Sequence, residues 1–390
     1  MKYDFDKIIC RRFSNSVKWD VGKNELPMWI ADMDFETLPE IKEEIIKKAS
    51  IGAYGYTTLN EDYFSSYLSW WNNRYNASFQ KEWMIYVSGV IACISSAVRR
   101  FTKPNENVVV LTPVYDVFYN SIVNNGCRVL ESKLLYQNGK YELDWCDLEE
   151  KLKNEQTSLM IFCNPHNPIG KIWEKEEIAK IGYLCKKYGV LVISDEIHCD
   201  LTTPGKKYIP FASVNEECRD NSITCLSPSK TFNLAGLQSA CAVVSNKFIR
   251  HKLWRSVNTD EVGEPNFFSV EANILAYTKG GLWVDELNQY IYENKLLVKD
   301  FLNTNLKKLK IVSLDATYLL WIDISAYNTS STSLCKYIRD VTGLYLNDGS
   351  RYLGNGNNFI RMNIATPRSN VVDGLNRLKK ALEEFEKNVN

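Results

Sequence analysis

Leu159-Met160-Ile161-Phe162-Cys163-Asn164-Pro165-His166-Asn167-Pro168-Ile169-Gly170 opens as a continuous apolar run and closes as a turn rich in asparagine and proline. Such a run suits a strand covered on both faces. Downstream, Ile178, Ile181, Leu184, Cys185 and Tyr188 recur at helical spacing, and Val190-Leu191-Val192-Ile193 is a second apolar run, ending on Asp195-Glu196-Ile197-His198. Strand, helix and strand in this order predict parallel strands joined by a crossover helix. The pattern extends outward to Val108-Val109-Val110-Leu111, to Ile223-Thr224-Cys225-Leu226 with its turn Ser227-Pro228-Ser229-Lys230, and to Ala240-Cys241-Ala242-Val243-Val244. The expected class is α/β, a large domain with a mostly parallel sheet flanked by helices. In such sheets the ligand crevice lies outside the carboxyl ends of the strands, where three polar clusters should converge.

The last third differs. Tyr318 to Ile324 and Phe359 to Ile364 partly alternate apolar and polar residues, and Val371, Leu375, Leu378, Leu382 and Phe385 form a helical stripe. They predict a smaller α+β unit. A helix over 38–50, with Ile41, Ile45, Ile46 and Ala49 on one face, leads into the large domain. The expected division is a large domain over 46–284 and a discontinuous small domain over 1–45 and 285–390.

The 390 residues exceed the roughly 250–300 that one core usually serves. Forty-seven basic side chains against 47 acidic ones provide no footprint for nucleic acid. The longest uncharged runs, such as Trp83 to Val98, fall short of the ~20 residues of a membrane span. The first residues lack the apolar stretch of a signal peptide, so the cytoplasm is the expected setting. Eleven cysteines without a C-x-x-C pair, beside three histidines, read as buried reduced thiols; no metal site is expected.

Single residues decide little. Lys230 alone reads as a solvated loop lysine; in a desolvated site its amine would become a nucleophile for carbonyls. Asp195 alone is a strand-end carboxylate that caps a turn, or a partner for the ring nitrogen of a heterocyclic cofactor.

Taken together, Asn-Pro-x-Asn-Pro-x-Gly, Asp-Glu-x-His and Ser-Pro-Ser-Lys-Thr-Phe at these intervals resemble the fold-type I pyridoxal-phosphate enzymes of the aminotransferase class I/II superfamily. More narrowly, the chain resembles the MalY/PatB group of cystathionine and cysteine-S-conjugate β-lyases. That likeness rests on Leu26 to Phe35, Tyr54-Gly55-Tyr56, Thr112 to Asp116, Ser227 to Gly236, Ala316 to Trp321 and Phe359 to Asn363, and so spans nearly the whole chain.

The resemblance implies pyridoxal 5'-phosphate as cofactor, with Lys230 as the Schiff-base lysine, Asp195 on the pyridinium nitrogen, Asn167 on the phenolic oxygen and Tyr115 stacked on the ring. His198 stands where many relatives in the wider superfamily carry tyrosine, as it does in the lyase group. The phosphate would meet Ser227, Ser229 and the backbone of Gly89, Val90 and Ile91 at a helix amino end. Tyr56 would reach in from a second subunit, which implies a homodimer with shared active sites. Arg361 would clamp the substrate α-carboxylate. Gln238 replaces a cationic phosphate ligand of many aminotransferases, and Ile169 replaces a common threonine.

The implied reaction is β-elimination from an L-amino acid with sulfur on its β-carbon. Cystathionine would give homocysteine, pyruvate and ammonia. Two rivals are an aminotransferase using the same lysine, aspartate and arginine, and a regulator acting through protein contacts. The motif around Lys230 does not separate lyase from aminotransferase, because both start with the same proton transfer. The Trp29 to Phe35 segment, Tyr54-Gly55-Tyr56 and His198 favour elimination.

Overall fold

A computed structural model of the chain describes residues 1–389. The large sheet has seven strands: β1 (Met84–Val87), β2 (Asn107–Thr112), β3 (Arg128–Lys133), β4 (Thr157–Cys163), β5 (Leu191–Asp195), β6 (Ser222–Leu226) and β7 (Ala240–Val243). Their spatial order is β1-β7-β6-β5-β4-β2-β3. All neighbours are parallel except β7, which runs antiparallel to both β1 and β6. The reversal follows from the segment between β6 and β7. It holds Lys230 and one 3-10 turn, Ala235–Leu237, but no crossover helix to carry the chain back to the starting edge.

Successive residues of β2 and β4 feed two different cores. Val108, Val110, Leu159, Ile161 and Cys163 face one, and Val109, Leu111, Met160 and Phe162 the other. Alternate side chains point to opposite faces, so helices on both sides demand an uninterrupted apolar run. The helix Lys175–Lys187 covers one face with Ile178, Ile181, Leu184 and Cys185, all buried.

The smaller sheet is antiparallel, β8 (Lys310–Ile311), β9 (Leu319–Asp323), β10 (Asn347–Asp348) and β11 (Phe359–Asn363), ordered β8-β9-β11-β10. Leu320, Ile322, Ile360 and Met362 share a core with Val371, Leu375, Leu378 and Leu382 of the closing helix Arg368–Val389. Trp321 and Phe359 stack 5.0 Å apart on the opposite face and join a core of the large sheet. Arg361, opposite Trp321 in register, therefore faces the large domain.

The stripe on the helix Pro39–Ala49 is only partly covered. Ile41 is buried, whereas Ile46 is 57% exposed, and the exposed surface continues through Ile51, Tyr54 and Tyr56. Nine of the eleven cysteines are buried; Cys10 and Cys146 are exposed. Among the described residues, no helix is long and apolar enough to cross a membrane.

Candidate active site

Register brings the three polar turns level. Cys163 lies beside Asp195, and Asp195 beside Cys225, so β4, β5 and β6 end together at one edge of the sheet. A cavity of about 350 Å³ opens there. It is lined by Lys230, Asp195, Asn167, Tyr115, His198, Ser227, Ser229, Gly89, Val90 and Ile91, ten of the residues singled out above. Arg361 is not among the lining residues but contacts one of them, Asn167, and Tyr56 is fully exposed on this chain.

The Lys230 amine donates to the Ala31 carbonyl at 2.5 Å. Burial pulls its pKa down to about 8; Arg361 acts the same way, while Asp32 and Asp195 oppose it. A lysine so placed exchanges its proton near neutrality, as a general base requires. Burial pushes the Asp195 carboxyl up to about 6, against the Ile197 N–H at 3.1 Å and the charge of Lys230.

His198 is buried and pulled down to about 3 by desolvation, with Lys230 and Arg361 adding to the effect, so its ring is neutral. Its Nδ1 has no hydrogen-bond partner among the described residues. Glu196, next to Asp195, serves the scaffold: its carboxyl takes hydrogen bonds from Ser194, Tyr208 and the Phe211 N–H, and burial raises its pKa to about 8.

Arg361 is almost wholly buried. It donates to Asn167 Oδ1 at 3.1 Å and to the Trp29 carbonyl at 2.9 Å, and its Nε has no hydrogen-bond partner among the described residues. Taking the carbonyl end of Asn167 leaves that residue's amide N–H groups for the cavity.

Opposite, the helix Val90–Phe101 makes its first internal bond from Cys93 to Gly89, at 3.0 Å. The N–H groups of Val90, Ile91 and Ala92 precede it at the positive end of the helix dipole. Ser227 Oγ sits 2.9 Å from Ser229 Oγ and 2.7 Å from the Ser239 carbonyl. This end of the cavity suits a phosphate. The buried carboxylate, amide and aromatic face of Asp195, Asn167 and Tyr115, with the His198 ring, line the same cavity and suit a flat ring with a basic nitrogen. The Lys230 amine lines the same cavity.

The family model for aminotransferase class I and II matches residues 24–378. The chain belongs to that family. It is 40% identical to cystathionine beta-lyase PatB of Bacillus subtilis over 97% of this chain and 100% of that one. Protein MalY of Escherichia coli is 29% identical over 97% and 99%. Cystalysin from Treponema denticola, whose crystal structure contains pyridoxal 5'-phosphate, superposes with a TM-score of 0.95 at 34% identity, over 99% of this chain and 100% of that one. The sequence-based recognition and fold class agree with these likenesses.

Sequence reasoning missed the roles of Ala31, Asp32 and Tyr318. The carbonyl of Ala31 accepts from both Lys230 Nζ and the Tyr318 hydroxyl, the latter at 3.1 Å. Their segments carry the family resemblance, but the contacts themselves were not legible, because Ala31 lies 199 residues from Lys230 and 287 from Tyr318.

Proposed function

We propose that the protein binds pyridoxal 5'-phosphate and catalyses β-elimination of L-cystathionine or related cysteine S-conjugates. The supporting observation is the single cavity where Lys230, Asp195, Asn167 and a helix amino end converge, in a chain 40% identical to a cystathionine beta-lyase over its full length. When bound, the cofactor supplies an electron sink for charge left on the substrate α-carbon. In this reading Asp195 holds a proton on the ring nitrogen, Asn167 donates to the phenolic oxygen, and Tyr115 and His198 fix the ring plane. Val90 and Ile91 N–H groups, Gly89, Ser227 and Ser229 bind the phosphate.

Arg361 orients the α-carboxylate, and the Lys230 amine, once free, takes the α-proton. The β-carbon–sulfur bond then breaks with its electrons going to sulfur, and the thiolate gains a proton. With one water, cystathionine yields homocysteine, pyruvate and ammonia. Arg361→Lys should raise KM about 10–100-fold with a smaller change in kcat, because lysine loses the planar fork that serves a carboxylate. Steady-state kinetics on cystathionine measure it.

The exposed surface from Ile46 to Tyr56 supports a homodimer in which Tyr56 of a second copy completes each phosphate site. The domain division 46–284 against 1–45 with 285–390 belongs to the same proposal, as does a cytoplasmic setting. Purified protein incubated with cystathionine, cystine and S-alkylcysteines should release pyruvate catalytically with no keto acid present. Turnover that requires a keto acid would instead support an aminotransferase.

A further inference from the structure

Two acidic and two basic side chains meet beneath Ala31. Arg11 donates from Nη2 to Asp32 Oδ2 at 2.7 Å and from Nη1 to Asp34 Oδ1 at 3.0 Å and the Met33 carbonyl at 2.9 Å. Lys18, fully buried, donates to Asp34 Oδ2 at 2.8 Å and to the Asp32 carbonyl at 3.2 Å. Trp19 Nε1 donates to Asp34 at 2.8 Å. The four charges sum to zero, which lets them sit largely out of water.

This cluster anchors a segment that crosses the active site. Carbonyls of Trp29 and Ala31 hold Arg361 and Lys230, and Asn363 ties the Ile30 and Asp32 carbonyls to β11 at 2.7 Å each. Asp32 adjoins Ala31, so a clamp on one fixes the other. Its carboxylate also favours the protonated Lys230 amine.

We propose that Asp32 is a positioning residue for Lys230: clamped by Arg11 and Lys18, it fixes the neighbouring Ala31 carbonyl that accepts from the lysine amine, and its negative charge acts on that nitrogen. The proposal rests on the reading of Lys230 as the cofactor-linked lysine. Other groups that act on that nitrogen or its carbonyl are Asp195 at the end of β5, Arg361 on β11, the neutral His198, and the Tyr318 hydroxyl that shares the Ala31 carbonyl; Tyr115 lines the same cavity. Asp195 acts with Asp32 and Arg361 against it.

The test is a pH titration of the visible cofactor absorption of the loaded protein, without substrate, with thermal unfolding recorded in parallel. Asp32→Asn removes the negative charge and should move the midpoint down by about one pH unit. Arg11→Met removes a cation that offsets Asp32 and should move it up. A purely structural role would not give shifts of opposite sign. A midpoint unmoved in both variants, or moved the same way, overturns the inference. So does a wild-type band that does not titrate. If Asp32→Asn fails to fold, Arg11→Met decides alone, and an unmoved or lowered midpoint overturns it. A wild-type protein that binds pyridoxal 5'-phosphate with no lysine-dependent band overturns the proposed function itself.

Discussion

Lys230→Ala should slow pyruvate release from cystathionine by about 10³-fold or more, since the variant loses the group that takes the α-proton. Pyridoxal 5'-phosphate should still be retained, because Asp195, Asn167 and the amino end of the helix Val90–Phe101 are untouched. The loaded variant should lack the absorption band that arises when a lysine amine joins the cofactor aldehyde. Its fold should survive, since the Ala31 carbonyl keeps the Tyr318 hydroxyl as donor. Absorption spectra and single-turnover assays on the same preparation measure both effects. A spectrum identical to the unaltered protein's would refute the assignment of Lys230.

Asp195→Asn should be nearly as severe. The amide oxygen can still accept from the Ile197 N–H, so the local turn is preserved. It cannot carry the charge that keeps a ring nitrogen protonated. Breaking a buried charge pair costs about 3–5 kcal/mol, or roughly 10²–10⁴ in rate if expressed in the transition state. The pH dependence provides a second measurement. Asp195 has a pKa of about 6 in the free site, so lowering the pH through 6 protonates it and removes the ring nitrogen's partner. Cofactor affinity should therefore fall toward acid pH in the unaltered protein. In Asp195→Asn it should be weak throughout, with that dependence gone. Equilibrium dialysis across pH 5 to 8 tests this, and an unchanged acid-side loss in the variant would transfer the effect to another group.

The strands that position the site were legible because both of their faces are covered. Val108 to Leu111 and Leu159 to Cys163 must be apolar at every position, and few other local structures require that. The edge strand β3 went unread: Arg128, Glu131 and Lys133 interrupt it, as an edge with solvent on one side permits. The proposed boundary between 284 and 285 lies within the helix Gly281–Asn305, which would run from one domain into the other.

The sequence alone determined the order of the buried strands, the turns that follow Cys163, Asp195 and Leu226, and the residue types gathered there, because periodicity and turn chemistry act over a few neighbouring positions. Tertiary structure decided how the site is wired. It set β7 antiparallel, turned Arg361 toward Asn167, and brought the Ala31 carbonyl and Asp32 carboxylate to Lys230 from the far end of the chain. Those contacts join residues up to 199 positions apart, held by packing and by the buried charges of Arg11, Lys18 and Asp34. No local pattern encodes such a contact, since hydrogen-bond and charge complementarity act at distances that exist only once the chain has folded.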